Sequence, residues 1–410
     1  MNNQYPTFIP AADVCRILDI KPATLYSYVS RGLVRKETRG RKKSRYLTAD
    51  VMRLKQKADA RAGHGPAAAE ALTWGQPVIQ TSISAISEDE TLTYRGISPL
   101  TLIENHRRYE SAAELLWSGN LPEEDPEWVR AAISENFPCE ALPSDCPFPT
   151  TAAMMLPYMA ACDPDRHLMS IEKEWERARR IIRVIAASVA LPESRSLMNE
   201  SMHQPQISKV LGMALGLLEE AMTNALDTAM ILCAEHELNA STFAARIAAS
   251  TGADLYSCLS SALGAYSGPK HGQAVGRVLA LLKEINTQGD AATVVRERLA
   301  RGELLPGFGH KLYPSGDPRY QPLRDAAVHL APKSVDVAHL CNVVDTMEQA
   351  GLFKPTLDMG LAMLVTAMKL PPAKASSVFM IGRMAGWIAH ILEQRTSPGL
   401  LRPRAEYIHR

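Results

Sequence analysis

The sequence predicts a mainly helical protein, a large all-helical body preceded by a small basic helix-turn-helix module. Two observations carry that expectation. From residue 98 onward, apolar residues recur with helical spacing in segments separated by Pro or Gly. Residues 1–61 hold 14 Lys and Arg against 5 Asp and Glu, an excess of nine positive charges in a chain whose total is only +1, which leaves the remainder eight negative. With 410 residues, 46% hydrophobic and 22% charged, the chain can fill one large core or two ordinary ones.

Taken in order, Ala11 to Leu18 has two turns of apolar spacing and predicts a short helix, broken near Asp19-Ile20-Lys21-Pro22. Pro22 to Arg31 predicts a second helix, with Pro22 suited to its first turn and Gly32 to its C-terminal end. A basic loop, Arg35 to Arg45 centred on Gly40, follows, and Thr48 is placed to cap a third helix. The small-residue stretch 62–76 is expected to be a linker, which makes 1–61 the module. Pro77 to Ser84 and Leu92 to Gly96 predict two short strands around a turn at Ser87 to Glu90. No repeat with a period of 20 to 50 residues is visible, which argues against a solenoid.

Several classes are disfavoured. No run approaches the roughly 18 to 20 uncharged apolar residues of a membrane span, and the start Met1-Asn2-Asn3-Gln4-Tyr5-Pro6 lacks a signal-peptide layout, so a cytoplasmic protein without membrane partners is expected. Seven scattered cysteines without a C-x-x-C pair predict reduced thiols, and the histidines lack metal-site spacing, so no metal is expected. Gly264 to His271 fails the spacing of a phosphate-binding loop.

In the window Arg31 to Arg45, eight basic residues face the single acid Glu37. The second helix could present Lys21, Thr24, Tyr26 and Ser27 to a major groove while Arg39, Arg41, Lys42, Lys43 and Arg45 hold phosphates. The competing view is a solvated charge cluster that mediates protein contacts. Ala11 to Leu18, Thr24-Leu25, Gly32-Leu33-Val34 and Tyr46 to Leu54 resemble a MerR-type winged helix-turn-helix domain, which implies DNA as a partner.

In the C-terminal half, Gly268-Pro269-Lys270-His271-Gly272 and Gly307-Phe308-Gly309-His310-Lys311 each set a histidine beside glycines, where backbone can approach a ligand. His236 lies in Glu235-His236-Glu237, and Asp358 is a lone acid in an apolar run that would desolvate it. A basic carboxylate can remove a weakly acidic carbon-bound proton, one imidazole can hydrogen-bond the enolate and another can polarise a ketone. Arg319, Arg383 and Arg402 are candidates to grip carboxylates bidentately. Taken singly, each has a plain alternative: a satisfied helix histidine for His236, a helix cap for Asp358, a surface ion pair for Arg383.

Together the motifs resemble the citrate synthase family. They are Tyr94-Arg95-Gly96, Ala113-Glu114-Leu115-Leu116-Trp117, Glu235-His236-Glu237 with Asn239-Ala240-Ser241-Thr242, the two Gly-His segments, Asp317-Pro318-Arg319, Gly382-Arg383 to His390, and Arg402-Pro403-Arg404, in family order over about residues 77–408. The resemblance implies all-helical large (77–271 and 369–410) and small (272–368) domains. It implies an acyltransferase that condenses acetyl-CoA with oxaloacetate to citrate and CoA, a reaction of the tricarboxylic acid cycle, through an enolate and thioester hydrolysis. No cofactor is implied beyond the coenzyme A thioester itself. Asp358 would be the base, His271 the donor to the enolate oxygen and His310 the group that polarises the oxaloacetate carbonyl. His236, Arg319 and Arg383 would bind the oxo acid, with Arg402 entering from the second subunit of a homodimer, and Gly307, Phe308, Gly309 and Lys311 would contact CoA.

Gln273 where a second glycine is usual, and Thr356-Leu357-Asp358-Met359 where an Asn-x-Asp-Phe-like stretch is usual, are departures that bear on the acyl pocket, and Cys233 stands where His is frequent. The alternatives are a 2-methylcitrate synthase using propionyl-CoA, a DNA-binding regulator that keeps the synthase site as a metabolite sensor, and a dimerising scaffold.

Overall fold

The computed structural model describes residues 8–39, 43–48, 50–52, 54–55, 79–129, 142–143, 145–397, 399–403 and 405. The chain divides into two compact units, residues 1–80 with 402–410, and residues 81–401.

In the first unit, Ala11–Leu18 and Pro22–Ser30 are helices. The first stops at Asp19, which takes a left-handed φ of 52°, and the second starts with Pro22 in its first turn, where the missing N–H costs nothing. Phe8–Pro10 pairs antiparallel with Lys43–Leu47, which pairs antiparallel with Lys36–Arg39. The basic segment expected as a loop is therefore a hairpin. Its pleat puts Tyr46 in the core with Ile9, Val14, Leu25, Val34 and Val51 and leaves Arg45 exposed. Residue 48 is already helical, and residues 50–52 and 54–55 continue in helix. Arg35 is spent internally, its Nε and Nη2 donating to the two Asp50 oxygens at 2.9 and 3.0 Å. Arg41, Lys42 and the expected linker 62–76 lie outside the described residues, as do the side chains of Arg39 and Lys43.

The second unit opens with a small antiparallel pair, Ser84–Ile86 with Leu92–Tyr94, turned by Glu90 N–H donating to Ser87 O. Residues 79–83, expected in strand, are outside it. Helices then dominate. Ala240–Ser250 packs on Leu255–Tyr266, and both pack on Ser377–Thr396. Glu220–Cys233 lies against that same helix. Ala274–Gln288, Tyr320–Leu330 and Val335–Gln349 surround Leu357–Ala367, which they bury almost entirely. Pro372–Thr396 is long and apolar enough to cross a membrane although charged residues interrupt it, but 89% of its most apolar 18-residue stretch is buried inside the protein. It is a core helix that keeps Arg383 and His390 inside.

Candidate active site

The site is built where helices end. Glu220–Cys233 runs out at Ala234-Glu235-His236, and the buried Tyr94 hydroxyl lies 3.0 to 3.3 Å from the Ile231, Leu232 and Glu235 carbonyls while accepting the Glu235 N–H. Its one hydrogen serves one of these helix-end carbonyls at a time, and Ile231 O also accepts the Ala234 N–H. Glu235 accepts from His390 Nε2 at 3.1 Å and from Ser84 Oγ at 3.1 Å. Arginine can only donate, so the 3.0 Å contact of Arg246 Nη1 with His390 Nδ1 makes Nδ1 an acceptor and puts the hydrogen on Nε2. These three buried groups anchor the backbone next to His236.

Asn239 caps Ala240–Ser250 by accepting the Thr242 N–H, and Ser241 follows it. Ser241 Oγ lies 2.7 Å from Asn239 Oδ1 and 2.7 Å from His271 Nε2, and accepts the Trp387 Nε1–H at 3.0 Å. Its one hydrogen goes either to Asn239 or to His271, and the second arrangement leaves Nδ1–H as the donor of His271. Burial, reinforced by the charge of Arg383, pushes the His271 imidazole down to about 4.

The other face comes from two adjoining loops. Thr356 N–H donates to Gly307 O and Gly309 N–H to Lys354 O, both at 2.9 Å, so the His310 segment lies along the approach to Asp358. Gly307 has φ +83°, and a Cβ there would lie 3.0 Å from Met359 and Val278 side chains. Leu312 N–H donates to His310 Nδ1 at 3.2 Å, so the neutral ring carries its hydrogen on Nε2. Asp317 ties the loops together. It takes Arg319 Nε and Nη2 at 2.9 and 2.8 Å and the Leu357 N–H at 3.0 Å.

Asp358 is the second residue of Leu357–Ala367, not its cap, which is Thr356. Burial pushes its carboxyl up to about 6, with Arg319 pulling the other way and Asp317 adding to the rise. Burial, joined by Arg319, lowers both His236 and His310, so three imidazoles are neutral at pH 7. The His236 and His310 rings meet edge to face at 5.1 Å. Arg319 and Arg383 are 3% and 2% exposed, and both act on His236 and Asp358. Each keeps donors in hand. Among the described residues Arg319 Nη1 has no hydrogen-bond partner, and the one hydrogen bond of Arg383 is Nε to Cys233 O at 2.6 Å.

His236, His271, His310, Arg319, Asp358 and Arg383 thus share one electrostatic environment. Gly307 and Phe308 are half-buried, while Gly309 and Lys311 are exposed. Arg402 is exposed and falls in the other unit. In the first unit, Thr24 is half-buried and Tyr26 and Arg45 are exposed. Motif reading missed Tyr313, whose hydroxyl meets His236, and Arg277, whose charge reaches Asp358. Neither has a sequence signal beyond closeness to a motif histidine.

The arrangement pairs a desolvated carboxylate with neutral donors and guanidinium groups that each keep donors beyond their protein hydrogen bonds, as deprotonation beside a bound anion requires. The model of the family described as citrate synthase, C-terminal domain, matches residues 72–404. A citrate synthase from Mycolicibacterium smegmatis is 31% identical over 351 residues, covering 81% of this chain and 93% of the relative. A 2-methylcitrate synthase from Mycobacterium tuberculosis is also 31% identical, over 354 residues, 81% of this chain and 88% of its own. The crystal structure of the citrate synthase from Thermotoga maritima superposes with a TM-score of 0.70 at 27% identity, covering 82% of this chain and 94% of that one. With the match spanning the whole helical body and every element of the site, the chain belongs to the citrate synthase family.

Proposed function

We propose that the helical body condenses acetyl-CoA with oxaloacetate to give citrate and CoA, the thioester being a substrate and no other cofactor being needed. The observation that carries this reading is Asp358, a half-buried, desolvated carboxyl with affinity for a proton near pH 6, set in the field of two buried arginines. Asp358 takes a proton from the acetyl methyl while His271, with Ser241 giving its hydrogen to Nε2, donates from Nδ1 to the forming enolate oxygen. The enolate carbon attacks the oxaloacetate carbonyl, whose oxygen receives a proton from His310 Nε2. Water then cleaves the citryl thioester, releasing CoA. His236, Arg319 and Arg383 hold the oxo acid's carboxylates.

Residues 272–368 are read as the small domain. Asp358, His310 and Arg319 would then close on His236 and Arg383 of the large one, excluding water. Arg402 is assigned to the site of a second subunit, which makes the working unit a homodimer. The test is thiol release from acetyl-CoA with oxaloacetate, repeated with propionyl-CoA to compare kcat/KM. Release lost in Asp358→Asn supports the synthase, preference for propionyl-CoA turns it into a 2-methylcitrate synthase, and no release from either thioester sinks the catalytic reading in favour of a sensor.

For the first unit, DNA is the partner proposed. Two short helices joined by three residues, followed by a basic hairpin with Arg45 exposed, support it.

A further inference from the structure

The turn that follows His310 delivers a side chain to which the reaction above gives no part. Tyr313 is 2% exposed, yet its hydroxyl lies 3.0 Å from His236 Nε2. Its ring centroid is 5.5 Å from that of His236 and 5.0 Å from that of His310, and the guanidinium carbon of Arg319 stands 5.5 Å from it. One residue therefore touches three of the groups assigned to the oxo acid.

We propose that Tyr313 is a positioning residue for the oxo-acid site, its hydroxyl setting the tautomer of His236 and its ring seating Arg319 beside His310. This deepens the synthase reading and rests on it. A phenol has one hydrogen. Among the described residues the Tyr313 hydroxyl has no hydrogen-bond partner other than His236, so a hydrogen turned elsewhere would be left without an acceptor in a buried place. It therefore goes to Nε2. The remaining ring nitrogen of the neutral imidazole is then Nδ1–H, a donor, and a donor is what an arriving carboxylate needs. Burial pushes the phenol up to about 12, so it keeps that hydrogen across the physiological range. The guanidinium over the ring face is a cation–π contact that holds the Arg319 plane while Asp317 occupies its other edge.

Tyr313→Phe in the full-length chain keeps the ring and removes only the hydroxyl. The expected result is a KM for oxaloacetate raised about tenfold, as loss of one buried hydrogen bond implies, with kcat changed by less than about threefold. In nitrogen-15 spectra of labelled histidines, with His236 assigned through His236→Gln, the wild type should show a bare Nε2 and a protonated Nδ1. Tyr313→Phe should move that pair toward exchange between tautomers. An unchanged KM, or an unchanged His236 spectrum, overturns the proposal. If the wild-type chain releases no thiol at all, the synthase reading fails separately, and the spectrum still decides whether the hydroxyl governs His236.

Discussion

Asp358 illustrates how a single side chain can be costly to the fold and necessary to the chemistry. Its carboxyl binds a proton more tightly in the folded chain, at about 6, than at its ordinary value of 3.8. Between those two values the native state holds more protons than the unfolded one, so stability falls as pH rises and stays reduced above 6. Asp358→Asn should therefore be more stable than wild type at pH 7.5, by at most about 3 kcal/mol in chemical denaturation, with the difference vanishing below about pH 4. A variant less stable than wild type at pH 7.5 would contradict the desolvation account. The same affinity predicts that kcat/KM declines roughly tenfold per unit below about pH 6, because the protonated acid cannot act as base. Activity flat down to pH 5 would remove Asp358 from that role. The neutral histidines and the lone acid were visible as residues in the sequence. Their hydrogen positions were not, because each depends on a partner that folding brings to the ring, Leu312 N–H for His310 two residues on and Tyr313 for His236 across 77 positions.

Among the elements, Ser377–Thr396 shows how spacing becomes a site. Arg383, Gly386, Trp387 and His390 fall at intervals of three and four, one stripe of the helix, and that stripe faces the Cys233–Ser241 segment. Arg383 reaches Cys233 O, Gly386 N–H reaches Ala234 O, Trp387 reaches Ser241 and His390 reaches Glu235. Gly386 is where the backbones come closest, since a Cβ there would overlap the Ala234 carbonyl and the Glu235 carboxylate. Gly386→Ala should cost on the order of 3 kcal/mol in chemical denaturation and lower activity by displacing His236. Wild-type stability and turnover together would show that the contact can relax. The basic hairpin teaches the opposite lesson. Lys36-Glu37-Thr38-Arg39 has no apolar alternation, so nothing local marks a strand, and pairing through Tyr46 opposite Ile9 supplies the buried face instead.

For the whole molecule, two assignments make opposite use of the chain's ends. If Arg402 completes the site of a second subunit, Arg402→Ala and Asp358→Asn should each be inactive alone. Refolded together in equal amounts they should recover roughly a quarter of wild-type activity, since half the dimers are mixed and each carries one intact site. No recovery would place Arg402 in its own subunit's site or outside any site. The basic module should bind duplex DNA with an affinity that falls steeply as salt rises, read by mobility shift. Binding that survives deletion of residues 1–61, or that ignores salt, would defeat the assignment.

The helical class, the charge split near residue 61 and the ordered motifs with their histidines, arginines and acid were all readable from the chain, because periodicity, composition and residue type are local properties. The bridging of Arg319 to Leu357 by Asp317, the Ser241 hydroxyl shared by Asn239, His271 and Trp387, and the burial of an apolar helix that could otherwise suit a bilayer were not. Desolvation and hydrogen-bond partnership depend on which distant surfaces meet, so they acquire values only once the chain has packed.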